Sequence, residues 1–164
     1  GAKLGFNGKI APVGFSRGSG MALMLVTTMG MPEFEGHGEN TNTSSDVQGA
    51  DVMSGRFTYL QLMPNDHMLP RYNQAWGERA THENFWRREG AMDYLQTATL
   101  PLFLTINISE GPDAQLQMTA LRKRLAELGS DEIFMMDRQP RGHKVTLVPN
   151  ILRAMNDYLK SRVN

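Results

Sequence analysis

The sequence predicts an α/β fold with a mostly parallel sheet flanked by helices. Three observations carry that prediction. Apolar strand-like runs alternate with helix-period segments along the 164 residues. The run Leu100 to Ile108, LPLFLTINI, is almost continuously apolar, as expected of a strand covered on both faces. The stretch around Gly14-Phe15-Ser16-Arg17-Gly18 reads as a tight turn joining a short strand to a helix.

Taken in order, residues 9–15 read as a strand. Residues 17–29 read as a helix with the small residues Gly18, Gly20 and Ala22 on its approach face. Residues 30–46 are a polar loop rich in Gly, Asn, Thr and Ser. Val47 to Met53 is a second strand, ending at Ser54-Gly55. Residues 56–99 form a long irregular or helical excursion carrying both tryptophans, Trp76 and Trp86. Leu100 to Ile108 is the third strand. Gln115 to Leu128 is an amphipathic helix, with Leu116, Leu121, Leu125 and Leu128 along one side and Gly129 as its C-cap. Ile133 to Met136 is a fourth strand. Val148 to Val163 closes the chain as a helix with Ile151, Leu152, Met155 and Leu159 at helical spacing.

The composition is that of one globular domain, with 40% apolar and 21% charged residues. The net charge of zero gives no basic excess to favour nucleic acid or an anionic membrane. No apolar run approaches the roughly 20 residues needed to span a bilayer. With no cysteine, disulfides and thiolate chemistry are excluded. The 12 methionines read as core filler, since Met packs irregular gaps.

The G-x-S-x-G segment offers chemistry. A serine on a sharp strand-to-helix turn exposes its hydroxyl and leaves the next backbone N–H free for an oxyanion. Flanking glycines suit a strained turn in which strand and helix approach closely. Serine needs a base in hydrogen-bond reach, and the base needs an orienting carboxylate. Glu110 and Asp113 follow the third strand, and His143 follows the fourth, so all three fall where strand ends converge.

The segments VGFSRGSG (13–20), SSDVQGADVMSG (44–55), TLPLFLTINISEGPDAQLQMTALRKRLAELG (99–129) and PRGHKVTL (140–147) resemble the α/β-hydrolases, in their esterase/lipase branch. That branch takes in acetyl xylan and feruloyl esterases and the catalytic domains of prolyl-oligopeptidase-like peptidases. The order Ser, acid, His is theirs. The resemblance covers most of the chain and implies the C-terminal portion of one such domain, residues 1–164, with 56–99 as a cap-like insertion. It implies Ser16 as nucleophile, His143 as general base and then acid, and the Arg17 backbone N–H as an oxyanion donor. Relatives commonly carry G-x-x-D-x-x-V-P in the acid loop, and this chain does not. Counting back from Gln117, the acid position falls on Glu110, with Asp113 as the alternative. The implied substrate is a carboxylic ester, small or carbohydrate-linked. A peptidase of the prolyl-oligopeptidase type, or a non-catalytic hydrolase-fold subunit binding a partner, are the other readings. No metal or organic cofactor is implied. In this fold several strands precede the elbow, and a loop among them supplies the other oxyanion donor. The expectation is therefore a fragment or portion of a longer protein, its open edge paired with an N-terminal segment or another chain.

Other residues read more blandly. His37, His67 and His82 lack the ligand spacing of a zinc motif and read as solvated, as does the neighbourhood of Asp66 and Asp51. Arg122-Lys123-Arg124 reads as a solvated helix face. The aromatics of the excursion, Phe57, Tyr59, Tyr72, Trp76, Phe85 and Trp86, either line a pocket or form the insertion's own small core. Trp76, Trp86 and Tyr59 are the substrate-binding candidates.

Overall fold

The computed structural model describes residues 7–35, 46–97, 100–145 and 148–164. His37 lies outside the described residues. Four strands form one parallel sheet in the order β1-β2-β3-β4: β1 (Val13–Phe15), β2 (Ala50–Met53), β3 (Leu102–Asn107) and β4 (Glu132–Asp137). The helices are α1 (Arg17–Thr28), α2 (Leu69–Trp76), α3 (Glu83–Arg88), α4 (Pro112–Glu127) and α5 (Pro149–Val163). A 3-10 turn at Ala91–Tyr94 follows α3. Among the described residues no helix is long and apolar enough to cross a membrane.

Side-chain alternation divides the sheet. Val52, Leu102, Leu104 and Ile106 face α1 and α4, packing with Leu23, Val26, Leu121 and Leu125. Phe103 faces the other way, into a smaller cluster with Val148, Ile151 and Tyr158 under α5. Every residue of β3 is buried, which is why its sequence is apolar but for Thr105 and Asn107. Among the described residues β4 is an edge strand, and Ile133 and Met136 stay partly exposed on it.

Element boundaries differ from the sequence expectation for local reasons. β1 is shorter than 9–15 because Pro12 has no N–H to give to a ladder, although its carbonyl accepts from Asp51 N. β2 starts at Ala50, after a bond from Gln48 N to Ile10 O. α4 starts at Pro112, three residues before Gln115, because proline suits the first helical position. The buried side of α4 is Gln117, Met118, Leu121 and Leu125, whereas Leu116 is 41% exposed. Leu116 and Leu121 are five apart, too far round a helix to share its buried stripe. On α5, Tyr158 is buried where the apolar pattern had pointed to Leu159, which is only partly covered. On α1 the buried face is Ser19, Ala22, Leu23 and Val26, so Gly18 is not part of it.

Asp51 is the anomaly of the sheet. It sits opposite Phe103 in the register, is fully buried, and neither carboxylate oxygen has a hydrogen-bond partner among the described residues. The reading of Asp51 as a solvated acid is therefore corrected. Burial pushes its carboxyl from the ordinary 3.8 up to about 7. The folded chain thus keeps a proton that the unfolded chain has already released. Stability from this group is greatest at low pH and falls as pH rises through about 4 to about 7, at up to about 1.4 kcal/mol per pH unit. Asp51→Asn should flatten that part of the profile. Urea unfolding at about pH 5 and about pH 8 checks it; equal pH slopes for both proteins would contradict the assignment.

Candidate active site

The turn after β1 is built by close packing. Ser16 caps α1 with φ 56° and ψ −120°, a left-handed conformation that costs a non-glycine residue about 1–3 kcal/mol. Its N–H donates to Met53 O at 2.9 Å, which ties the turn to the end of β2. A Cβ on Gly14 would lie 2.6 Å from Ser19 N and closer still to the Gly18 carbonyl oxygen. Gly20 faces the Arg56 carbonyl at a comparable approach, whereas a Cβ on Gly18 would meet nothing within 4 Å. Of the two motif glycines, only Gly14 is demanded by space.

Three of the sequence candidates meet at the C-terminal ends of β1, β3 and β4. His143 Nε2 lies 2.9 Å from Ser16 Oγ. His143 Nδ1 lies 2.9 Å from Glu110 Oε2 and 3.2 Å from Oε1. The Glu110 side chain is 1% exposed, while His143 is half exposed and tilts over the Phe15 ring at 4.8 Å. With Nδ1–H donating to the carboxylate, Nε2 is left to accept from the serine hydroxyl. The Arg17 backbone N–H, in the first turn of α1, has no acceptor among the described residues.

Asp113 does not reach His143. It lies on the first turn of α4, in a corner with Asp66 and His67 where one ligand atom of each falls within 4.8 Å of the others. Asp66 is buried there, and both its oxygens are taken by the Arg56 guanidinium. The solvated reading of Asp66 is therefore corrected, and His67 proves to line the cleft.

That cleft, about 500 Å³, opens over Ser16 and His143 and is walled by Arg17, Arg56, Tyr59, His67, Tyr72 and Asp113. The excursion thus supplies one wall, and Tyr59 stands in it as expected. The two tryptophans do not. Trp86 is fully buried and Trp76 stacks on Tyr72 at 4.7 Å, so they form the excursion's own core with Leu62. Their proposed role as substrate contacts is corrected: each ring is spent on its neighbours, with Trp86 Nε1 donating to Gly77 O at 2.9 Å.

Several positioning residues carry no sequence motif. Asn107 Oδ1 accepts from Ser109 N and Ser109 Oγ, and its Nδ2 donates to Asp137 and Gln139 of the next strand's end. Ser109 Oγ in turn accepts from Gly142 N at 2.8 Å. The loop bearing Glu110 is thereby joined to the loop bearing His143. Gln117 is buried under the excursion, accepting from Phe57 N and Thr58 N and donating to Thr58 O.

The packing predicts unequal tolerance at the turn. Gly14→Ala should prevent native folding, because backbone stands where the methyl must go. Gly18→Ala should fold with equal or higher stability, by up to about 1 kcal/mol, since it lies inside α1. Thermal unfolding of the two variants tests this, and equal tolerance would contradict the geometry.

No protein-family model matches the chain, and no curated protein matches it in sequence. Solved structures do match. A carbohydrate esterase from gut microbiota superposes with TM-score 0.77 at 14% identity, over 92% of this chain and 58% of that one. An esterase of the planctomycete Thermogutta terrifontis gives TM-score 0.68 at 13% identity, over 94% of this chain and 56% of that one. The acylaminoacyl peptidase of Pyrococcus horikoshii gives TM-score 0.71 at 12% identity, over 94% of this chain and 24% of that one. The chain therefore spans between 24% and 58% of the length of these structures. At such identities the likeness is one of architecture, and it agrees with the parallel sheet and its flanking helices: the chain has the α/β-hydrolase fold.

Proposed function

We propose that the protein is a serine hydrolase that cleaves carboxylic esters through an acyl-enzyme. The observation that carries the reading is the unbroken hydrogen-bonded line Ser16–His143–Glu110 beside the free Arg17 N–H, open to a cleft. Substrate carbonyl carbon approaches Ser16 Oγ, and a new C–O bond forms as His143 Nε2 takes the hydroxyl proton. Charge gathers on the carbonyl oxygen, where the Arg17 N–H and the positive end of α1 face it. Collapse breaks the ester bond, and His143 returns its proton to the departing alkoxide. Water then repeats the sequence on the acyl-enzyme, releasing the acid and restoring Ser16. Glu110 holds the imidazole tautomer and offsets the imidazolium charge in both halves.

Buried Glu110 against displaced Asp113 makes the assignment of the acid testable. In the full-length protein, Ser16→Ala and His143→Ala should lower kcat/KM on 4-nitrophenyl acetate by roughly 10⁴-fold or more with folding intact. Glu110→Gln should lower it by about 10²- to 10⁴-fold, and Asp113→Asn by no more than a few-fold. A fluorophosphonate should label Ser16 and fail on Ser16→Ala. Retained turnover in Ser16→Ala would sink the reading. A larger loss in Asp113→Asn than in Glu110→Gln would move the acid. Turnover of aminoacyl amides in preference to esters would turn the assignment toward a peptidase.

A further inference from the structure

Arg17 stands where electrostatics disfavours a cation. It is the first residue of α1, and a helix N-terminus already carries partial positive charge. No acidic residue in the first turn offsets it. Among the described residues no carboxylate lies within ion-pair distance of its guanidinium. Yet the residue is exposed and lines the cleft beside Ser16.

The other charges of the cleft are placed differently. Arg56 is taken up by Asp66, and Glu110 by His143. Asp113 lies in the corner with His67 and Asp66. Tyr59 and Tyr72 also wall the cleft, with ring centroids 5.1 Å apart. Burial pushes the Tyr59 hydroxyl up to about 12, while the Arg17 charge acts on both phenols in the opposite sense. The two hydroxyls are hydrogen-bonded to each other, which leaves the pair one proton to donate outward. A planar guanidinium fork beside such a phenolic donor is the chemistry that recognises a carboxylate.

We propose that Arg17, with Tyr59 and Tyr72 beside it, binds a carboxylate carried by the substrate, so that the site prefers anionic esters to neutral esters of the same length. The ester part of this statement rests on the hydrolase reading above. An unpaired cation at the mouth of a cleft also draws anions in from solution, and that attraction weakens with salt.

The test compares 4-nitrophenyl hydrogen adipate with 4-nitrophenyl hexanoate, which share leaving group and chain length. The full-length protein should favour the adipate in kcat/KM by about 10- to 100-fold, the range of one charge-assisted contact. Arg17→Gln should collapse that ratio toward one, Arg17→Lys should keep part of it, and rising salt should erode it. A wild-type ratio near one, or a ratio that survives Arg17→Gln, overturns the proposal. A binding experiment separates it from the hydrolase reading. In the Ser16→Ala protein, calorimetry with methyl hydrogen adipate and methyl hexanoate should show the same preference, again lost with Arg17→Gln. Binding preference without turnover of either ester in the wild type would retire the hydrolase reading and keep the anion site. Turnover without preference would do the reverse.

Discussion

The hydroxyl of Ser19 is the point on which the site's geometry depends. It is buried at the first turn of α1, 2.8 Å from Gly14 O and 2.5 Å from Met53 O, and it accepts from Met53 N at 2.9 Å. A hydroxyl has one proton and two lone pairs, so it donates to one of these carbonyls while accepting from Met53. The ends of β1 and β2 and the start of α1 are thereby drawn to one atom. Any side chain at Gly14 would collide with this turn, and a Cβ at Gly55 would lie 2.5 Å from Ser19 Cβ. Ser16 is left with little freedom. Its positive φ is held because the alternative is to separate α1 from the sheet, which would expose Leu23 and Val26 of the main core.

The second half of the site is placed by a different device. His143 arrives on an irregular segment, and no helix or strand fixes its angle. Asn107, the last residue of β3, acts instead, bonding forward to Ser109 and across to the residues that follow β4. This is why Glu110 and not Asp113 meets the imidazole. Glu110 lies in the turn that Asn107 and Ser109 hold, with its N–H donating to Asn107 O. Asp113 is already inside α4, and the helix frame carries it toward His67. Glu110 lies two residues before α4 begins at Pro112.

Much of this was legible in the sequence, for reasons of different strength. The parallel sheet followed from β3, because a strand buried on both faces must be apolar throughout, and LFLTIN is nearly so. That Ser16 and His143 would come together was legible because the chemistry restricts which residue types can form such a pair. The acid remained divided between Glu110 and Asp113, since spacing along a loop does not determine direction in space. Ser19 and Asn107 gave no signal at all, and Gln117 served only as a marker for counting back to the acid, with no hint of its buried bonds to Phe57 and Thr58. In a sequence a buried polar side chain looks the same as a solvated one, and only its partners distinguish them. Trp76 and Trp86 failed in the opposite sense. Their size suited either a binding surface or an apolar centre of the excursion, and with Tyr72 and Leu62 they form the latter.

The broken local rules cluster at one end of the sheet. Ser16 and Ser54 are the two non-glycine residues with positive φ among those described, and each follows directly on a strand's C-terminal end. The Ser54 hydroxyl is buried at the cleft wall without a hydrogen-bond partner among the described residues, and Thr105 Oγ1 beside it is likewise unpaired. Such groups cost about 1–3 kcal/mol each, so their concentration there is informative. In a parallel sheet the C-terminal ends are where side chains from several strands converge, and a site is built there at the expense of local comfort. Asp51 does not belong to this pattern. It lies on the face toward α5, opposite Val13 and three residues back from Ser16 in the register, and its cost depends on pH where theirs do not. Strain at the strand ends is tied to the geometry of Ser16, whereas the buried carboxyl acts on the stability of the whole sheet. The two effects are separable: the first changes with substitutions around the turn at constant pH, the second with pH at constant sequence.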